Sequence, residues 1–226
     1  MHIYSLLLSL GLASGISLDI SLGNACNTQI SEISILGYSA GTQETVYEIQ
    51  QSPRTHGFNN PQYYSIRLGV KKYEIELVHH KLYFDETLPD GISHLEITDG
   101  YNLLMANTSS EFHSVKELGS FHYRLGIGTV VAHPDITING NRYFTRGGGL
   151  VPAIWRDGYH LGGFSSQLAA FYKKHLSDGI SVHLEIKLIY AHASISLDAT
   201  EDIYERFDIK IPNYSFHFLG GISFGK

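Results

Sequence analysis

Cysteine is nearly missing from this chain: Cys26 is the one copy in 226 residues. That rules out an intrachain disulfide and any cysteine-built metal centre. A basic excess is missing too, since 16 lysines and arginines stand against 22 aspartates and glutamates and the formal net charge is -6. The cations are scattered along the chain, so no tract suits a nucleic-acid backbone. Nowhere do the 18 or more consecutive apolar residues of a membrane-crossing helix occur. What the chain has in quantity is tyrosine, at 15 residues, within a composition that is 43% hydrophobic, 12% aromatic and 17% charged. The length is that of one domain.

The clearest signal lies in residues 180–197. Ile180, Val182, Leu184, Ile186, Leu188 and Tyr190 alternate there with Ser181, His183, Glu185 and Lys187. A period of two means a strand, and the stretch exceeds the roughly 9–11 tilted residues that cross a bilayer. In a water-soluble barrel the charges belong on the outside. Here the apolar set ends in a tyrosine, as at a membrane edge, and the polar set offers a histidine, a glutamate and a lysine that can pair across a closed lumen. The pattern therefore predicts lipid outside and ion pairs inside.

Along the rest of the chain, strands are expected over residues 30–40, 64–70, 73–84, 94–105, 121–128, 158–174 and 214–224, with a β-bulge near Val78-His79-His80. With residues 180–197 these make eight, an even number that brings both ends to one side. The connections on that side are mostly short (Lys71-Lys72, 107–119, 175–179). Those on the far side are mostly long (41–61, 85–91, 133–157, 198–212), which is the periplasmic and extracellular asymmetry of membrane barrels. The expected fold is an all-β, eight-stranded antiparallel up-and-down transmembrane β-barrel. An interior of that size is filled by side chains. Arg67, Arg124 and Lys187 facing Glu74, Glu76, Glu96 and Glu185 would plug it.

Residues 3–13, an apolar segment, read as an export signal. Small residues permit cleavage after Gly15 or after Ala25, so residues 1–25 are expected to be signal and lead and 26–226 the barrel. Five histidines, His80, His94, His122, His183 and His217, could share the lumen, but they fall on different strands without ligand spacing. Gly147-Gly148-Gly149 lacks the strand, helix and lysine of a phosphate loop. No metal or cofactor is expected.

Two stretches carry resemblances. Gly220-Gly221-Ile222-Ser223-Phe224 resembles the C-terminal assembly signal of bacterial outer-membrane barrels, although Gly225-Lys226 follow it. The resemblance implies residence in the bacterial outer membrane, contact with outer-membrane lipid and lipopolysaccharide, and handling by the barrel assembly machinery. The second is His192-Ala193-Ser194, where an imidazole and a hydroxyl two apart on one face emerge just beyond Tyr190. A base and a nucleophile need such closeness, and a third, acidic group to orient the base. Glu201, Asp202 and Glu205 follow soon after. From Leu168 onward the chain resembles the lipid A 3-O-deacylase (acyloxyacyl hydrolase) family, with Ile195 where that family has asparagine. That resemblance implies an esterase with Ser194 as nucleophile, His192 as base and Glu205 or Glu201 as acid. Periodicity alone implies a structural or loop-displaying barrel, and this is the preferred expectation.

Overall fold

In the computed structural model the described residues are 15–28, 32–39, 42–59, 62–84, 88–116, 118–143, 145, 159–198 and 206–225. The export signal expected over residues 3–13 lies outside them. The strands are β1 (Ile16–Thr28), β2 (Ile33–Ser39), β3 (Thr42–Ile49), β4 (Tyr64–Val70), β5 (Tyr73–Tyr83), β6 (Ile92–Val115), β7 (Gly119–Ala132), β8 (Asp135–Ile138), β9 (Asn141–Tyr143), β10 (His160–Leu161), β11 (Gly163–Ser177), β12 (Ile180–Asp198) and β13 (Arg206–Gly225).

Eight of them close a ring. β1, β4, β5, β6, β7, β11, β12 and β13 each pair antiparallel with the next, and β13 returns to β1 from Ser17↔Gly225 to Thr28↔Tyr214. This is an up-and-down barrel. The tight connections gather at one end with the described chain ends. Lys71, at a positive φ of 59°, turns β4 into β5, and Gly179, at 75°, turns β11 into β12. Gly225 N donates to Gly179 O at 3.0 Å and Lys71 N to Gly15 O at 2.9 Å, which ties the chain ends to these turns. We call this the turn end and the opposite one the loop end.

The ring's first strand is not where the sequence pattern puts it. Residues 33–39 are a strand, but β2 pairs with the loop end of β13 and with β3, outside the ring. The barrel strand is β1, whose inward residues Asp19, Ser21, Gly23 and Ala25 are buried while Ile20, Leu22 and Cys26 are exposed. Small inward residues gave that stretch the look of the tail of an export signal. Ala25, the expected boundary of the lead, lies within β1.

Three ring strands are far longer than a bilayer requires: β6 has 24 residues, β12 has 19 and β13 has 20. The excess lies at the loop end, where β2–β3 and β8–β9 extend the sheet as hairpins and β10 adds a short edge to β7. The stretches 41–61 and 133–157, expected as loops, therefore supply β3, β8 and β9. The expected loop over 198–212 shrinks, because β13 already starts at Arg206.

Two glycines make room inside the barrel. A Cβ on Gly126 would lie 1.9 Å from Asn107 Oδ1, and one on Gly221 would lie 2.6 Å from both His183 Nε2 and Ser21 Oγ. Any side chain at either position would displace the lumen's hydrogen bonds.

Candidate functional site

The inward row of β12 shows how the barrel is filled. From the turn end it reads Ser181, His183, Glu185 and Lys187, then Ile189, Ala191, Ala193, Ile195 and Leu197, all buried. The first four belong to a polar storey and the rest to an apolar one.

In the polar storey Arg67 is the hub. Its Nη1 donates to Asp19 at 2.8 Å and its Nη2 to Glu76 at 2.8 Å and Glu185 at 2.9 Å. Arg124 reaches Glu74 through Nε at 2.5 Å and also donates to Glu185, while Lys187 donates to Glu76. Asn107 and Gln167 donate to the other Glu76 oxygen at 2.9 and 2.8 Å. Arg67, Arg124, Lys187, Glu76 and Glu185 have side chains at most 2% exposed. Burying them is tolerable because each charge has an opposite partner within hydrogen-bond distance.

Six of the seven expected plug residues are thus brought together. The exception is Glu96, which lies on the outer side of β6 because Leu95 and Ile97 take the inward row there. Its near neighbour is His94, at 3.6 Å between Nε2 and Oε1. His94 therefore stands outside the lumen as well. Asp135, directly across from Glu96 on β8, joins this outer cluster and is held by Arg142, whose Nε donates to it at 2.8 Å. The other four histidines face inward, each bonded to a hydroxyl: His183 to Ser21 at 2.8 Å, His217 to Tyr63 at 2.5 Å, His80 to Thr55 at 2.9 Å and His122 to Ser120 at 2.7 Å. Asp19 joins the ion pairs from β1, where the inward residues beside it, Ser21 and Gly23, are too small to mark a strand face in the sequence.

Above the ion pairs the lumen becomes an ordinary hydrocarbon core. Ile189, Ala191, Ala193, Ile195 and Leu197 meet Phe207, Ile209 and Ile211 of β13, Leu95 and Ile97 of β6, Ile33, Ile35 and Ile49 of the first hairpin, and Ile136, Ile138 and Tyr143 of the second. Tyr143 sets its ring edge-on to Phe207 at 5.2 Å. The barrel is closed twice, by salt bridges at the turn end and by packed aliphatics at the loop end.

The outer wall is the complement. Around the polar storey it exposes Ile127 at 73%, Leu184 at 66% and Ile75 at 63%, together with Leu68, Leu125, Ile186, Phe216 and Phe218. Aromatic rings bound this band. Towards the loop end Tyr190 and Tyr214 lie 4.6 Å apart with Phe164 5.5 Å from Tyr190; towards the turn end Phe121 lies 5.1 Å from Tyr172. Between Ile180 and Tyr190 the strand climbs about 25 Å along the barrel axis, taking roughly 3.3 Å per residue and a tilt near 40°, which matches the apolar band of a membrane barrel.

His192 and Ser194 continue the outward row of β12 past Tyr190, as their spacing predicts. Their Cα atoms are about 7 Å apart by strand geometry. The His192 ring stacks on Phe164, centroids 5.9 Å apart at 21°. Burial, and then the nearby Lys210 ammonium, hold its imidazole below the ordinary histidine value. Opposite Ser194 on β13 stands Lys210, and opposite His192 stands Pro212. Glu205, Glu201 and Asp202 lie outside the described residues. Among the described residues no carboxylate pairs with His192. The structure brings a base and a hydroxyl to one face and sets a cation beside them.

No protein-family model and no curated protein sequence matches the chain. Among solved structures it is similar to the outer membrane protein OprG of Pseudomonas aeruginosa, at 10% identity and a TM-score of 0.47 over 94% of this chain and 97% of that one. It is also similar to the outer membrane protease OmpT of Escherichia coli, at 10% identity and a TM-score of 0.35 over 94% and 97%. A third is Ail, the attachment invasion locus protein of Yersinia pestis, at 11% identity and a TM-score of 0.30 over 93% and 99%. The assignment of an eight-stranded antiparallel barrel rests on the closed ring of pairings, and its transmembrane character on the exposed apolar band.

Proposed function

We propose that this chain is a bacterial outer-membrane β-barrel with a sealed lumen, whose role is structural or lies in surface interactions of its loop end. The carrying observation is the inversion at mid-height: Leu184 and Ile186 are exposed on the wall while Glu185 and Lys187, between and beside them, are buried in ion pairs. Exposed apolar surface of this extent needs lipid to cover it. In this reading the signal is cleaved after Gly15, which preserves β1, the barrel assembly machinery inserts the chain, and lipopolysaccharide surrounds the loop-end half of the wall. Gel mobility with and without boiling tests it, together with cell fractionation. A compact band that disappears on heating and a detergent-dependent membrane fraction are expected; recovery in the soluble periplasm would overturn it.

A second reading, an esterase acting on lipid A, is favoured by one observation: His192 and Ser194 share the outward face just past the Tyr190–Tyr214 pair. Ser194 would attack an ester carbonyl while His192 accepts its proton and returns it to the leaving alcohol, and water would then release the acyl group. Glu205 would orient the imidazole. The test is mass spectrometry of lipid A from cells making the wild-type or the Ser194→Ala chain. Loss of one hydroxyacyl mass only with the serine present establishes the esterase, and identical spectra remove it.

A further inference from the structure

On the wall beyond the aromatic girdle, three neighbouring strands set three polar side chains in one row. Ser194 of β12 faces Lys210 of β13, and Lys210 faces Ser34 of β2. Strands lie about 4.8 Å apart, so a hydroxyl, an ammonium and a hydroxyl span roughly 10 Å across the wall. Lys210 is exposed and both serines are half-buried. The nearest described carboxylate on the row above, Asp208, is taken by Arg206, at 3.2 Å from its Nε, and Arg206 in turn lies 4.2 Å over the Tyr38 ring. Among the described residues Lys210 makes no ion pair. Glu48 of β3, opposite Ser34, continues the row two strands away, about 10 Å from Lys210, and His192 is close enough to feel the ammonium's field.

We infer that this row, with His192 at its lower edge, docks a phosphate monoester of a membrane lipid headgroup, whose charge no choline balances. The inference rests on the outer-membrane reading above. Height supports it: Lys210 is four residues from Tyr214, about 10 Å along the axis at a tilt near 40°, within a flexible stem's length of the girdle's outer edge. Lipid phosphates lie at that level, just outside the hydrocarbon that the girdle delimits. Chemistry supports it too, since a phosphate offers several acceptor oxygens to an ammonium and two hydroxyls and gives Lys210 the ion pair it lacks among the described residues.

A place for the lipid's tail adjoins the row. A shallow groove of about 670 Å³ runs down the wall, lined by Ile75, Leu104, Ala106 and Ile127, with the Gly128 backbone in its lining. Phe164, which also lines the groove, is the ring on which His192 stacks. An acyl chain in the groove and a phosphate on the row would therefore meet at Phe164. A lipid with several chains and a phosphorylated headgroup fits both.

The test reconstitutes the full barrel in phosphatidylcholine vesicles, with and without added bisphosphorylated lipid A, and follows the temperature at which the compact gel band is lost. Phosphorylated lipid A is expected to raise that temperature, and lipid A stripped of phosphate to raise it clearly less. Lys210→Ala should abolish most of the difference between the two lipids, whereas Lys72→Ala, at the turn end, should keep it. The inference is overturned if Lys210→Ala retains the full difference, or if inorganic phosphate added to phosphatidylcholine vesicles gives the same rise. A chain that forms no compact band in any vesicle would sink the outer-membrane reading as well, an outcome separate from a folded barrel that ignores the phosphate.

Discussion

Arg67 shows how much a single side chain holds together in this barrel. It touches Asp19, Glu76 and Glu185, and the side chains of the last two have no exposed surface. Removing one partner of a buried pair typically costs about 3–5 kcal/mol. Arg67→Met is therefore expected to lower unfolding stability in urea titrations of the micelle-bound barrel by that order. On the wall the sign of the rule reverses, and Ile186→Arg should cost about 2–4 kcal/mol if it lies near the bilayer midplane. If both variants unfold like the parent chain, the inside and outside of β12 have been assigned wrongly. At this scale parity was legible wherever a strand alternates without interruption, so Arg67, Glu74, Glu76, Arg124, Glu185 and Lys187 could be placed from sequence. Asp19 could not, because its neighbours Ser21 and Gly23 are too small to mark a face. Glu96 was misplaced because the loop-end half of β6 turns its apolar row, Leu95, Ile97, Tyr101 and Leu103, inward, so the polar row that carries His94 and Glu96 is the outer one there.

Among the elements, β1 is the one on which closure depends. It pairs along Ile16–Leu22 with β4 and along nearly its whole length with β13, so without it two strand edges lie open. A chain refolded from Ile16 onward should give the heat-sensitive compact band, and one beginning at Cys26 should not; equal folding of the two would show that β1 is dispensable. The loop-end hairpins illustrate a different limit of sequence reading. Asn139-Gly140 was visible as a turn, and Asn139 does adopt a positive φ of 50°. But β8 and β9 have only four and three residues, too few for a period to show. The candidate site was legible in the same uneven way. Outward parity placed His192 and Ser194 correctly, whereas Lys210 went unnoticed because it lies in a stretch read as loop.

For the molecule as a whole, two different seals make it a closed body. Planar bilayers containing the purified barrel are expected to show no stepwise conductance, because ions would have to pass both the Arg67 network and the aliphatic packing around Ile195. Steady single-channel steps would contradict a filled lumen. The change of storey also leaves a mark in the linear sequence. On β12 the apolar residues occupy even positions through Leu188 and odd positions from Ile189 onward; on β13 Phe216 and Phe218 are even while Ile211, Ile209 and Phe207 are odd. Since Leu188 faces Phe216 and Tyr190 faces Tyr214, both strands shift phase at one height. On β5 and β6 the pairs Leu77↔Leu104 and Val78↔Leu103 straddle the same step, outward below and inward above. The water–lipid boundary is thus written into each of these strands as a half-period shift in hydrophobic phase, and the polar residues that follow the shift outward, His192 and Ser194 among them, are the first that a molecule approaching along the membrane surface would meet.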